Sequence, residues 1–229
     1  MSPLNTNWLM AGLDILMIAY TLWVVSPVNS PDSRKKPLWR IGTALLIWLV
    51  LLHTGLSNQV IFAEDISGVS FLSVIFAAVG ATGILLLGIS AVRKILFDMS
   101  QAQLLLMQGI RVFFGAIFLT QASLGSMPLL FGIIDGWMHI CAGFLGLIAA
   151  FMLMQSRCAT KYVWFANLFG LADILIVAST LSLFILEDIT PHGSMMYAVF
   201  LPAPLWFWFH LISMYRLAGN GLSLNQSVK

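Results

Sequence analysis

Four ionisable side chains lie inside long apolar runs of this sequence: Asp14, Arg111, Asp135 and Asp173. An ionised side chain at the centre of a lipid bilayer costs roughly 3 kcal/mol on insertion scales unless it is paired, hydrated or bound to an ion. Three carboxylates against one guanidinium leave an excess of two negative charges. Protons, protonated histidines or a bound cation must cancel that excess. The sequence therefore predicts an internal polar site that handles charge.

One acid and one histidine are spaced to act together. Asp135 and His139 are four residues apart, so on a helix they share one face. A carboxylate and an imidazole in this arrangement can exchange a proton, orient one another or bind one cation. The same stretch carries Gly132, Gly136, Gly143 and Gly146. Small residues at this spacing let neighbouring helices approach closely, so we expect this helix to be central.

Helical rise gives the depth of each ionisable group in the membrane. Arg111, Asp135, His139 and Asp173 lie about 8–12 residues into their spans, which puts all four near the middle of the bilayer. The simplest ion pair therefore joins Arg111 to either Asp135 or Asp173. Asp14 and His53 are expected in the outer half of the bilayer, and His210 is expected in the inner half.

Composition identifies the class of protein. The chain has 229 residues, of which 60% are hydrophobic and 9% are charged, and its net charge is +2. Soluble domains are about 25% charged. The few basic residues form no nucleic-acid-binding patch, and there is no phosphate loop, CxxC pair or HExxH motif. The sequence predicts an integral membrane protein, favours a non-enzymatic role and specifies no cofactor.

Apolar stretches of 19–27 residues can each cross a hydrocarbon core of about 30 Å. We predict an all-α fold in which residues 1–229 form a single transmembrane domain of seven helices, because no loop is long enough to fold separately. Proline, glycine and serine in the connections mark the ends of the helices. The predicted spans are 8–26, 38–62, 67–91, 102–123, 128–154, 162–186 and 195–217.

The basic residues predict the orientation of the bundle. Cytoplasmic loops of membrane proteins are enriched in lysine and arginine. Every lysine and arginine except Arg111 falls in an odd-numbered loop or at the C-terminal end, whereas the even-numbered loops are acidic or uncharged. We therefore expect the N-terminus outside and the C-terminus in the cytoplasm. The basic residues in question are Arg34, Lys35, Lys36, Arg40, Arg93, Lys94, Arg157, Lys161, Arg216 and Lys229, and the acidic ones are Glu64, Asp65, Glu187 and Asp188.

Short motifs in the second half of the chain are similar to those of a family of uncharacterised bacterial multi-span membrane proteins. They are QGIRVF at 108–113, GSMP at 125–128, GIIDG at 132–136, NLFGLAD at 167–173 and LPAP at 201–204, which is followed by His210. The chain departs from the family pattern at Ile134, because the family has a glycine directly before this acid. The resemblance implies a bacterial inner-membrane location and brings no known activity. It singles out as site residues Arg111, Asp135, Asn167, Asp173 and His210.

These residues favour a binding site in the middle of the membrane. In this reading Arg111, Asp135 and Asp173 support proton- or cation-linked transport or binding of a small solute. His139, Asn167, His210 and Asp14 are the further site candidates. The expected partners are the lipid bilayer and a solute, proton or cation, with no nucleic acid. Seven spans are few for alternating access, which makes a homo-oligomer a reasonable expectation.

Two other functions stay open on the sequence alone. His53, His139 and His210 could bind b-type haem or a metal, since haem needs axial ligands from facing helices. Alternatively, the polar core could be structural, in a non-enzymatic accessory or sensory membrane protein.

Overall fold

The computed structural model describes residues 6–26, 32–63, 65–155, 159–189 and 191–220. These residues form a helical bundle without strands. The α-helices are α1 (Asn7–Val25), α2 (Asp32–Ser57), α3 (Gly68–Gly88), α4 (Ser90–Asp98), α5 (Gln101–Leu106), α6 (Arg111–Ser123), α7 (Leu129–Met154), α8 (Thr160–Thr180), α9 (Met195–Phe200) and α10 (Pro202–Asn220). A π-helix (Leu181–Ile185) and a 3-10 helix (Leu186–Asp188) continue α8.

Seven helical stretches of the described chain are long and apolar enough to cross a membrane, which confirms the predicted all-α, multi-span architecture. Their limits agree with the predicted spans to within a few residues, with one larger difference. The second span ends at Ser57 rather than at residue 62, and Phe62 instead folds back as a buried side chain of the following loop. The phenyl ring of Phe62 packs on Phe71 and Phe200, with ring centroids 5.3 and 5.4 Å away.

Three of the spans are interrupted. In the fourth span, α5 and α6 are separated by a tight turn at 107–110 whose backbone amides bond three residues back, as Gln108 does to Leu105 at 3.0 Å. In the sixth span the α-helix widens into a π-helix at Leu181. In the seventh, α9 stops at Leu201 and α10 begins with Pro202, which has no amide hydrogen to continue the helix. Interruptions at membrane depth commonly lie beside binding sites in membrane proteins.

The close contact between α6 and α7 depends on glycine. A Cβ atom on Gly115 would overlap the carbonyl oxygen of Gly136, and one on Gly143 would lie 2.7 Å from Val112. The predicted role of these small residues is therefore observed in the packing. Helix α7 packs in turn on α8, and α8 on α10. The seventh span is the most enclosed of the seven, because 78% of its most apolar 18-residue stretch is buried inside the bundle.

The two ends of the bundle differ in charge, and contacts near the ends of the helices close one of them. At one end Arg216 donates to the carbonyl of Met99, and the amide of Gln103 donates to the carbonyl of Val24 at 2.9 Å. We call this end the basic face; its described basic side chains are Arg40, Arg93, Lys94, Lys161 and Arg216. The opposite end, here the acidic face, has Asp65, Glu187 and Asp188. The side chains of Arg34, Lys35 and Lys36 and the residues Glu64, Arg157 and Lys229 lie outside the described part of the chain.

Candidate functional site

Arg111 is the centre of a buried polar site. It is the first residue of α6, directly after the tight turn of the fourth span, and its side chain is fully buried. Its Nη2 donates to Oδ2 of Asp173, and its Nη1 lies 3.3 Å from the carbonyl oxygen of Gly170. The guanidinium carbon sits 5.0 Å above the centroid of the Trp206 ring, within cation–π range. Of the two pairings that the sequence left open, the structure has Arg111 with Asp173.

His210 is fixed through both of its ring nitrogens. Nε2 lies 3.3 Å from Arg111 Nη1, and Nδ1 lies 3.0 Å from the Asn167 side-chain oxygen. A guanidinium can only donate, so Nε2 must accept and Nδ1 must carry the hydrogen that Asn167 receives. These two partners assign His210 as the neutral, Nδ1-protonated tautomer.

The hydrogen bonds continue from His210 to the basic face. The amide nitrogen of Asn167 donates to Oγ of Ser213 and to the carbonyl of Val163, both at 2.8 Å. The amide nitrogen of Gln101, the first residue of α5, donates to the same Ser213 oxygen at 2.5 Å. We call His210, Asn167, Ser213 and Gln101 the amide chain. It connects Arg111 at the middle of the bundle with the beginning of the fourth span.

Two buried carboxylates and one imidazole meet on the other side of Arg111. His139 Nδ1 lies 3.1 Å from Asp135 Oδ1 and 3.4 Å from Asp173 Oδ2. The three residues are almost completely buried, and we call them the carboxylate–histidine cluster. The contact of Asp135 with His139 is within ion-pair distance but is not aligned as a hydrogen bond, and both oxygens of Asp135 have no other described hydrogen-bond partner. Asp135 is thus a buried acid whose nearest polar neighbour is an imidazole.

The cluster offers one ligand atom per residue, and these atoms lie within 4.8 Å of one another. It is the one such group of histidine, cysteine and acidic residues that is found among the described residues. A cation could therefore be held here. However, Asp173 Oδ2 already accepts from Arg111, so one of the three ligands would have to be shared with a guanidinium.

Aromatic rings and a small apolar cavity surround His139. Its ring contacts Phe118 and Trp206 edge-on, with centroids 5.3 and 5.8 Å away. A cavity of about 40 Å³ lies beside Asp135 and His139 and is otherwise lined by apolar side chains. This volume is enough for about one to three water molecules.

Two predicted site residues lie apart from this cluster. Asp14 is fully buried in α1, and neither of its carboxylate oxygens has a described hydrogen-bond partner. His53 lies on α2, where its Nδ1 is 2.5 Å from the hydroxyl of Tyr197 and its ring is 4.5 Å from that of Trp8. Among the described residues, the histidines considered for haem do not converge: His139 is in the cluster, whereas both nitrogens of His210 are engaged elsewhere.

Sequence reasoning missed the far end of the amide chain and the stacking role of Trp206. Ser213 and Gln101 are ordinary polar residues near the end of an apolar run, so their types carry no signal. Spacing could have found one of them, since Ser213 follows His210 by three residues and must share its helix face. Trp206 is four residues before His210 and so lies on the same face.

Comparison with known proteins gives a family but no function. No curated protein and no solved structure matches the chain. The family described as "Domain of unknown function (DUF8737)" matches residues 69–218. This segment contains Arg111, the carboxylate–histidine cluster and the whole amide chain, and it leaves out both α1 and α2. Since the match covers more than half of the sequence, the chain belongs to the DUF8737 family of domains of unknown function.

Proposed function

We propose that this protein is a proton-linked membrane transporter of a small solute, and that the carboxylate–histidine cluster is its proton site. The observation that carries the proposal is the charge of the cluster. Two carboxylates, Asp135 and Asp173, are fully buried beside a single arginine, which pairs with Asp173. Asp135 is left with His139 as its nearest polar group. One proton, on His139 or on Asp135, makes the whole group neutral.

The depth of the cluster fits this role. Arg111 lies halfway along the fourth span and Asp173 halfway along the sixth. An uncompensated charge at this depth is costly, so the proton that neutralises it is held strongly and its release must be linked to another change. Ionisable residues at the bilayer midplane are the usual proton sites of pumps and secondary transporters.

Arg111 supplies a fixed positive charge beside the exchangeable one. Its guanidinium is engaged by Asp173, by the carbonyl of Gly170 and by the ring of Trp206. Such a rigidly held charge keeps Asp173 ionised while the proton moves between Asp135 and His139. In this scheme Arg111 and Asp173 are positioning residues, whereas Asp135 and His139 take up and release the proton.

A bound metal ion is the competing occupant, because the cluster atoms are close enough to hold one. The proton is favoured because Arg111 already occupies one of the two carboxylates. We also propose that the basic face is cytoplasmic and that the membrane is a bacterial inner membrane, since lysine and arginine concentrate on the cytoplasmic side.

The test measures protons directly. Purified protein in a mild, weakly buffered detergent solution is titrated through neutral pH with an indicator dye. We expect Asp135→Asn to exchange about one proton fewer per chain than the wild type, because Arg111 and Asp173 then balance without a proton. His139→Gln keeps both carboxylates, so Asp135 should still take up one proton. The control is Ser182→Ala, which changes a buried polar residue of the same span as Asp173 and should leave the count unchanged.

The same variants are then reconstituted in liposomes with an internal pH dye, and an imposed potassium diffusion potential drives proton flux. Faster acidification with wild type than with Asp135→Asn supports the proposal. An equal proton count and an equal flux in folded wild-type and variant protein overturn it. Stoichiometric metal that disappears in Asp135→Asn would show instead that the cluster holds a cation.

A further inference from the structure

A second cavity, much larger than the one beside His139, opens at the acidic face. It has a volume of about 720 Å³ and lies between the start of α1, the end of α2, the turn at 125–128 and the segment 188–195. This volume is within the range of about 300–1,000 Å³ that is usual for small-molecule sites. We call it the vestibule. The polar residues of its lining that matter below are Ser57, Ser126, Asp188, His192 and Ser194.

The vestibule has hydrogen-bonding capacity that the protein does not use. The hydroxyl oxygen of Ser126 is buried and has no described partner. The hydroxyl oxygen of Ser194 accepts from Thr6 at 2.8 Å and from the amide of Gln121 at 3.0 Å, which leaves the Ser194 hydrogen to be donated. Buried polar groups normally find partners. The Ser194 hydrogen can be donated to water or to a polar occupant. The Ser126 hydroxyl could join it after a rotation about χ1, since its oxygen is enclosed in this conformation.

His192 adds a donor of fixed identity. Its Nε2 accepts the backbone amide hydrogen of Phe62 at 3.3 Å. The neutral ring must then carry its hydrogen on Nδ1. His192 is 4% exposed, so this tautomer is held by the fold.

The charge around the vestibule has one sign. Asp188 lines it and is exposed, and Asp65 and Glu187 are exposed on the same face. No lysine or arginine is among the described residues that line it. A cleft lined by one sign of charge attracts solutes of the opposite sign and disfavours those of the same sign.

Met195 connects the vestibule with the proton site. Its side chain is buried and lines both the vestibule and the 40 Å³ cavity. Asp135 and His139 line the same small cavity. Met195 therefore borders both the vestibule and the cavity that adjoins the carboxylate–histidine cluster.

We propose that the vestibule is the binding site for a small, hydroxyl-bearing organic cation. Asp188 is its counter-charge, and Ser126 and Ser194 are its hydrogen-bonding partners. Binding itself follows from the vestibule alone. The coupling of this cation to proton release across Met195 rests on the proposed function.

The test uses three probes of similar size that share a linear six-carbon polyol chain and differ in charge: N-methylglucamine, sorbitol and gluconate. Ser126→Cys is made in a background without native thiols, Cys141→Ala/Cys158→Ser. The neutral reagent methyl methanethiosulfonate labels the new thiol: the thiolate attacks the sulfenyl sulfur, a disulfide forms and methanesulfinate leaves. The labelling rate is measured with each probe present. The control is Val60→Cys, which is 75% exposed and does not line the vestibule.

We expect N-methylglucamine to slow the labelling of Ser126→Cys most, sorbitol less and gluconate least, with no probe affecting Val60→Cys. Adding Asp188→Asn should reduce the preference for N-methylglucamine over sorbitol by about fivefold, the size of one accessible charge pair. If Ser126→Cys does not fold, Ser57→Cys provides a second thiol on the same lining. Equal protection by the three probes, strongest protection by gluconate, or no protection at either thiol overturns the proposal.

Adding Asp135→Asn distinguishes this proposal from the proposed function. Protection by N-methylglucamine should survive Asp135→Asn, because the vestibule does not depend on the cluster. If protection is seen but Asp135→Asn changes neither proton count nor flux, the cation site stands and the proton-linked mechanism fails. If proton count and flux respond but protection is absent, the proton site stands and the vestibule proposal fails.

Discussion

Gly170 lies so close to the imidazole of His210 that a Cβ atom on Gly170 would overlap the ring atoms Nε2 and Cε1. The same Cβ would lie 3.2 Å from Nη1 of Arg111. The carbonyl oxygen of Gly170 accepts a hydrogen bond from that same nitrogen. A single residue without a side chain thus fixes how closely α8 approaches both the arginine and the histidine.

Gly170→Ala should destabilise the protein because either His210 or the backbone of α8 must move. We expect a loss of about 1–3 kcal/mol in the free energy of unfolding, the usual cost of overpacking. Unfolding in detergent, followed by tryptophan fluorescence, measures it. The matched control is Gly80→Ala in α3, where nothing lies within 4 Å of the new methyl group. If both substitutions have the same small effect, Gly170 does not lie as close to His210 as described.

Breaking the Arg111–Asp173 pair from one side should cost more than removing it altogether. Both side chains are fully buried, so Arg111→Gln or Asp173→Asn leaves an unpaired charge in an apolar interior. We expect each single substitution to cost about 3–5 kcal/mol and the double substitution to cost less than either single substitution. A double-mutant cycle of thermal unfolding measures the coupling. Strictly additive effects would contradict the pairing.

Replacing Asp14 by an apolar residue should affect the stability of the protein in the opposite sense to replacing Asp173. Asp14 is buried without a described hydrogen-bond partner, so its polar group carries a cost that no contact repays. Asp14→Leu should therefore leave stability unchanged or raise it by about 1 kcal/mol, whereas Asp173→Leu should lower it strongly. The comparison is made by the same detergent unfolding. A marked loss of stability in Asp14→Leu would show that Asp14 has a structural partner.

Two asparagines provide a matched test of the amide chain. Asn167 and Asn58 each donate to the carbonyl four residues earlier, at 2.8 Å, but Asn167 is buried and Asn58 is exposed. Asn167→Ala removes the acceptor of His210 Nδ1 and should cost about 1–3 kcal/mol. Asn58→Ala should change stability by about 0.5 kcal/mol or less. Equal effects would mean that the amide chain contributes nothing to the fold.

The spans and the depth of the polar site could be predicted because they depend on distance along the chain. Helical rise converts the position of a residue in an apolar run into a depth, whatever the helix packs against. Arg111, Asp135 and Asp173 were placed at one level in this way, and in the structure they meet. The glycines of α7 were recognised for the same reason, since close packing selects small residues at helical spacing.

Which residues meet at a given depth depends on the rotation and order of the helices, and the apolar pattern of a membrane span says little about either. Asp14 and Asp173 are both buried acids, yet only Asp173 reaches Arg111. His53 and His139 were both considered as haem or metal ligands, whereas His53 contacts Tyr197 instead. The interrupted helices were also missed. The proline at residue 202 could have indicated one of them, whereas a π-helical turn at Leu181 has no distinctive residue type.

The amide chain also determines where a proton cannot travel. Asn167 and Gln101 are carboxamides, which donate through nitrogen and accept through oxygen and have no site that gains one proton while losing another. His210 is held as a single tautomer between Arg111 and Asn167. The chain is therefore a proton insulator between the cluster and the basic face, although it is hydrogen-bonded throughout. In this conformation the amide chain offers a proton no relay to the basic face, so a proton path to the proposed site at Asp135 would have to open from another direction.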